Sequence, residues 1–315
     1  MPLGRVVLVI ALLGATVASF AIAERLKLER SPIAGPSVTK IFSPVCECAP
    51  AEIRFRLQRR DRLTIAIVDS GDGVVRTLLR RRRFAPGPVR VAWDGRDDGG
   101  DVVPEGVYRP RVHFDDRDRT IVLENRIQVD TTTPGIEPIG VRPRRFSPDG
   151  DGRRDGIAVR YRLSEPGRAL LIVNGVRRVR GRARVKTPGQ LQWYGRVDGR
   201  PLPAGTYRLQ IVGVDLAGNR TPRVPAGPVT IRYVEVAPSI LRTRVGESFG
   251  VSVATDAASY DWRFAGRSGT ASFRRLRLRA RRPGRFALVV EANGHTDRAT
   301  VTVARKPAPR RRRAR

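Results

Sequence analysis

The sequence predicts an all-β protein, a set of tandem sandwiches behind one apolar helix at the N-terminus, and three observations predict it. Stretches such as "VRVAW" (residues 89–93) and "YRPRVHF" (108–114) alternate apolar with polar residues, the period of a strand with one buried face. Glycine (31) and proline (24) are frequent enough in 315 residues to break the chain into short elements. Finally, "WDGRDDGGDVVPEGVYRPRV" (93–112) returns as "WYGRVDGRPLPAGTYRLQI" (193–211), a repeat of about a hundred residues that suits tandem domains rather than a solenoid.

The first element is an export segment. Arg5 precedes an uncharged apolar run from Val6 to Ala23, which as a helix would be about 27 Å long against a hydrocarbon core of ~30 Å. It therefore reads as a retained signal anchor, although Ala21-Ile22-Ala23 also fits a signal-peptidase site. On either reading the residues after about 24 lie outside the cytoplasm, on the cell membrane or secreted. Residues 25–37 are charged and then Pro/Gly/Ser-rich, as expected of a linker.

The repeat explains its own residues. Trp93 and Trp193 fall on the apolar phase of their strands and so face a core. Asp98-Gly99 and Asp198-Gly199 are turn dipeptides, in which glycine supplies the positive φ of a tight reversal. Pro104 and Pro203 set φ just before the next strand, where Tyr108 and Tyr207 point inward with Val112, Phe114, Leu209 and Ile211. The expected result is a corner seating one Trp and one Tyr in each sandwich, with no ligand required.

Two clusters are candidates for chemistry. In "SPDGDGRRDG", Asp149, Asp151 and Asp155 alternate on a glycine-flexed loop and are candidate calcium ligands, since calcium takes six to eight oxygens. The loop is no EF-hand, because position twelve falls on Arg160. Equally, the same acids can cap a turn and pair with Arg153 or Arg154. At the corresponding place the first copy has "VCECAPAE", where Cys46 and Cys48 could close a small disulfide or remain thiols. One cysteine pair lacks the ligand count of a zinc site. Of the two histidines, His113 is on the polar phase of its strand and His295 lies in a turn, neither beside a recognisable acid or nucleophile. With no G-x-S-x-G, P-loop or H-E-x-x-H pattern, the sequence does not read as an enzyme.

Charge bears on partners. The net charge is +31, and only Lys27, Lys40, Lys186 and Lys306 are lysine, so the field is carried by arginine. Such a field favours polyanions, although the arginines are spread along the chain as a merely solubilising charge would be. The runs Arg80-Arg81-Arg82-Arg83 and Arg310-Arg311-Arg312-Arg313 read either as solvated faces or as polyanion grips.

The motifs resemble the FlgD/Vpr immunoglobulin-like family. Its F-S/T-P-(N/D)-G-D-G opening corresponds to Phe146 to Gly152, its W-(D/N)-G-x-(D/N) turn to Trp193 to Gly199, and its P-x-G-x-Y motif to Pro203 to Tyr207. The second copy fits well and the first from Trp93 onward, together about 195 residues. The resemblance implies tandem immunoglobulin-like β-sandwiches of about seven strands each. Such domains serve as spacers and adhesion modules, and flagellar hook capping, the namesake's activity, is not implied. The stretch 237–304 resembles bacterial immunoglobulin-like and polycystic-kidney-disease-type domains, with Trp262 expected as its core tryptophan. The expected order is thus: anchor or signal 1–24, linker 25–37, FlgD-type domains 38–135 and 136–236, a third domain 237–304, and a basic tail 305–315. The functional expectation is a non-enzymatic cell-surface scaffold or adhesive protein contacting acidic envelope polymers or surface proteins. A nucleic-acid binder is the less favoured alternative, and an accessory module of an extracellular hydrolase system a further one.

Overall fold

Period-two alternation sets the sheets. In Ala51–Leu57 the residues Ala51, Ile53, Phe55 and Leu57 are buried, while Arg54 and Arg56 are exposed. Ile157–Leu163 repeats this, with Ile157, Val159, Tyr161 and Leu163 inside and Arg160 and Arg162 outside. Successive side chains of a strand leave opposite faces, so each such strand has one core face and one cationic face.

The computed structural model describes residues 13–17, 19, 31–182 and 188–305; of these, 13–17 and 19 are helical and the rest is strand, turn and bend. No helix among the described residues is long and apolar enough to cross a membrane. Most of the expected anchor or signal segment, and the basic tail beyond 305, lie outside them. Two compact units comprise residues 1–132 and 133–315.

The first unit holds one sandwich. A three-stranded sheet runs in the order Ile33–Val38, Ala51–Leu57, Gly87–Trp93. The facing sheet runs Ile41–Phe42, Ile127–Val129, Gly106–Phe114, Asp61–Val68, Val74–Phe84, with Arg119–Val122 pairing beside Gly106–Phe114. The opening segment serves both sheets: it is antiparallel to Ala51–Leu57, then crosses over and runs parallel to Ile127–Val129.

The second unit holds two more sandwiches of the same order. In the second module Ile136–Arg142, Ile157–Leu163 and Pro188–Trp193 face Arg145–Phe146, Val224–Ile231, Gly205–Asp215, Gly167–Val173 and Val176–Arg180. In the third, Val234–Ala237, Ser248–Thr255 and Arg275–Arg279 face Ile240–Arg244, His295–Ala304, Gly284–Ala292, Tyr260–Phe264 and Arg267–Ala271. Two face-to-face sheets with the opening strand divided between them make an immunoglobulin-like sandwich, and each encloses its own core.

Three expectations need correction. The linker does not extend to residue 37: Ile33–Val38 is a strand, and Ile33 is buried in the first core. The third module starts before 237, because Val234 and Val236 pair with Ser248–Thr255 and belong to its core. Trp262 is not the core residue of that module. It is half-buried at the margin, lying over Gly269 on the paired strand, where an added Cβ would come within 2.9 Å of the indole. The aromatic core is instead Tyr260, Phe249 and Phe264, with Phe286 packed against it.

Candidate functional site at the junction of the second and third modules

The repeated corners are structural down to their atoms. Trp93 is fully buried, its ring meeting Phe42 edge-on at 5.5 Å and Tyr108 at 5.2 Å. Trp193 meets Phe146 at 5.7 Å and Tyr207 at 6.2 Å. The hydroxyls of Tyr108 and Tyr207 each donate 2.8 Å to a proline carbonyl four residues back, Pro104 and Pro203, so the P-x-G-x-Y spacing closes a tyrosine corner. Trp93 Nε1 donates to the Arg96 carbonyl at 2.9 Å, whereas Trp193 Nε1 is buried with no partner among the described residues.

The F-S-P opening completes the corner. A Cβ on Gly95 would lie 2.6 Å from Pro44 Cβ and 3.0 Å from Phe42 Cζ; on Gly195 it would lie 2.8 Å from Phe146 Cε2 and 2.9 Å from Pro148 Cγ. Both glycines also have positive φ, 78° and 61°. The Phe and Pro of each opening therefore pack against the backbone of the tryptophan turn, which requires glycine there.

After that proline the copies diverge. In the first, Cys46 and Cys48 are joined in a disulfide. In the second, Asp149, Asp151 and Asp155 each bring a carboxylate oxygen within 4.8 Å of the others. Asp155 accepts from the backbone of Gly150 (2.6 Å) and Gly152 (2.8 Å), and Asp151 accepts from that of Arg153 (2.8 Å). Asp149 accepts from the Ser147 hydroxyl at 2.9 Å. These are turn-capping bonds, and since an ionised carboxylate offers about four lone-pair sites, oxygens remain for a cation as well.

The third module reaches this loop. Asn293 Nδ2 lies 3.1 Å from both Asp149 Oδ2 and Asp151 Oδ2. His295 stacks on Tyr233 with ring centroids 3.6 Å apart and an interplanar angle of 6°. Burial, and then the neighbouring Tyr207 and Asp149, push the Tyr233 hydroxyl up to about 12, and it donates to the Leu202 carbonyl at 2.5 Å. Asp256, whose Oδ1 is buried without a hydrogen-bond partner among the described residues, is held above the usual carboxylate range by burial, with Asp149 and Asp151 adding to the effect. Asn293, His295 and Asp256 escaped sequence reasoning as members of one site, because Asn293 is 142 residues from Asp151 and no local pattern joins them. His113 sits apart, its Nδ1 2.8 Å from the Thr120 hydroxyl.

Arginines line the outer faces of the three-stranded sheets. Arg54 lies directly opposite Arg90 in the pairing of Ala51–Leu57 with Gly87–Trp93, and Glu52, the acid of that face, bonds to Arg54. In the third module Arg275, Arg277 and Arg279 face Ser252, Gly250 and Ser248, and make no ion pair among the described residues.

No family model matches the chain, and no curated protein matches it in sequence. Among solved structures, it is similar to the fibronectin(III)-like modules of Clostridium thermocellum CbhA at 12% identity and a TM-score of 0.34, over 63% of this chain and 91% of that one. It is similar to the I9–I11 tandem of titin at 14% identity and a TM-score of 0.30, over 86% of this chain and 100% of that one. A fragment of a 1.5-MDa bacterial ice-binding adhesin matches at 13% identity and a TM-score of 0.25, over 88% of this chain and 100% of that one.

Proposed function

We propose that this chain is a non-enzymatic scaffold or adhesive protein of FlgD-type sandwiches, acting outside the cytoplasm behind its N-terminal apolar segment and contacting anionic polymers of the cell envelope. The observation that carries this reading is the row Arg275, Arg277, Arg279 on an open sheet face, opposite small residues and, among the described residues, without acid partners. Alternate strand residues are about 7 Å apart, so the row presents a ladder of guanidinium groups to an extended partner. Like charges directly opposed across strands, as at Arg54 and Arg90, destabilise a sheet. An anionic partner relieves that repulsion. The test is retention of the full chain on envelope polymer fractions in rising salt: steep loss with salt supports the reading, and failure to bind at low salt removes it. Retardation of DNA in place of polymer retention would favour the nucleic-acid alternative instead.

A second reading concerns the loop at Asp149, Asp151 and Asp155, where three carboxylates converge within 4.8 Å and the next module supplies an amide. In this reading calcium fixes that loop, with Asn293 turning its carbonyl oxygen toward the ion. A melting temperature that rises with calcium and falls back with chelator supports it; identical melting in both eliminates it.

A further inference from the structure

We infer that the second and third modules together form a binding site for a phosphate ester, in a cavity lined by Arg145, Arg154, Arg232 and Arg274. The inference deepens the polyanion reading and rests on it for the ligand's biological source; its cavity borders the open sheet face at Ser252, opposite Arg275, and none of Arg275, Arg277 and Arg279 lines it.

The cavity has a volume of about 370 Å³. Four guanidinium-bearing residues reach it from four different segments. Arg145 comes from Arg145–Phe146, Arg154 from the end of the aspartate loop, Arg232 from just after Val224–Ile231, and Arg274 from just before Arg275–Arg279. Their backbones are held in place. The Arg154 carbonyl accepts from Ser147 N at 3.1 Å, and the Arg274 carbonyl accepts from Val253 N at 2.8 Å. Thr255 Oγ1 donates to the Tyr233 carbonyl at 2.9 Å, fixing the third module's wall beside Arg232.

Charge then selects the ligand. Arg232 is paired with Glu235, whereas Arg145, Arg154 and Arg274 make no ion pair among the described residues. The acid in the lining is Asp256, whose tendency to ionise is already reduced by burial. Three uncommitted guanidinium groups against one weakened carboxyl call for a dianion; a single carboxylate would leave the site positive. Arginine forks pair bidentately with phosphate oxygens, and three of them can engage a tetrahedral group from different sides. The volume exceeds what a bare ion fills and falls at the small end of ligand pockets, which run from about 300 Å³ upward. A phosphate with a short polar substituent fits, the exposed Ser252 in the lining offering its hydroxyl to that substituent.

Because the arginines come from two modules, occupancy would also bind those modules to each other. Phosphate esters reach an envelope protein from two sources, a glycerol phosphate polymer or an anionic lipid headgroup, and both present the same chemistry.

The test is calorimetric titration of the full chain with glycerol 3-phosphate in moderate salt. Expected is saturable binding at one site per chain, weakened at least about tenfold by Arg154→Gln with Arg274→Gln, since the loss of even one charge-assisted hydrogen bond is worth that much. A double variant, Arg277→Gln with Arg279→Gln, whose partners Gly250 and Ser248 lie outside the lining, should bind glycerol 3-phosphate as the parent does. Arg154 and Arg274 are both exposed, and an unchanged ligand-free melting temperature establishes that the variants are folded; Arg274→Gln alone serves if that pair is not. Absence of saturable binding, or full affinity in the variant carrying Arg154→Gln and Arg274→Gln, overturns the inference. Competition by glycerol phosphate polymer or by phosphatidylglycerol vesicles would support it and assign the source. If glycerol 3-phosphate binds while envelope polymers are not retained, the site stands and the scaffold reading falls.

Discussion

Gly195 shows how one residue holds a motif together. Its φ of 61° costs an ordinary L-residue about 1–2 kcal/mol, and an added Cβ would press on Phe146 and Pro148, an overpacking worth about 1–3 kcal/mol. Gly199, four residues on, has a φ of 78° with nothing within 4 Å of an added Cβ. Gly195→Ala is therefore expected to lower stability by about 2–5 kcal/mol and Gly199→Ala by only about 1–2 kcal/mol, read as shifts in urea midpoint. Equal losses would mean that the Phe-Pro contact contributes nothing. Tyr233 makes a different demand at the same scale. Its hydroxyl is pushed up to about 12, above the ordinary tyrosine value of about 10, so the native state favours the neutral phenol. The sign follows from proton counting: between those values the native state holds more protons than the unfolded chain, so stability falls as pH rises. The contribution is complete below pH ~10 and lost by about pH 12. Denaturant melts of the parent should show this alkaline decline, and Tyr233→Phe should lessen it, Tyr108, Tyr207 and Tyr260 being raised by burial as well.

At the scale of elements, the tyrosine corners tie each second-sheet strand to the turn before it. Tyr108 and Tyr207 donate equally short bonds, yet Tyr108 is buried and Tyr207 only half-buried. A net hydrogen bond contributes about 1 kcal/mol, and water can replace more of it where the ring is accessible. Tyr108→Phe should therefore cost about 1 kcal/mol and Tyr207→Phe less, measured by the same denaturant midpoints; a larger loss at Tyr207 would overturn the ranking. These corners were largely legible from sequence, because Trp, Asp-Gly, Pro, Gly and Tyr stand at fixed short spacing, although the positive φ expected at Gly99 falls on Gly100 (92°) while Gly199 has it as expected (78°). The alternating strands were legible for the same reason, since burial of one face writes itself into a period of two. What stayed hidden was non-local. Nothing in "VEVAPSILRTRV" shows that Val234–Ala237 and Ile240–Arg244 belong to opposite sheets, because the cross-over is set by partners some 15 to 60 residues away. Trp262 misled because its phase on Tyr260–Phe264 is that of the core, yet the paired Gly269 gives the indole a place at the margin. In the candidate site, the three aspartates could be read as a group from their spacing, while Asn293 and the four arginines of the cavity could not.

For the whole molecule, three cores of one strand order do not imply three independent units. The second and third modules share a compact unit, and the bonds between them are specific. Thr255 bonds to the Tyr233 carbonyl, His295 stacks on the Tyr233 ring, and Asn293 reaches Asp149 and Asp151. Two of these meet at Tyr233, which is itself buried against the second core, so unfolding either module exposes groups that the other needs. Such coupling merges transitions when it is comparable to the stability of one module, about 5–15 kcal/mol for an ordinary domain. Calorimetry of the full chain should accordingly resolve two transitions, one reproduced by residues 1–132 alone and one by residues 133–315 alone. Asn293→Ala with His295→Ala should split the second. Three transitions in the unaltered chain would show that these contacts are too weak to join the modules, and would deprive the arginine cavity of the fixed walls it requires.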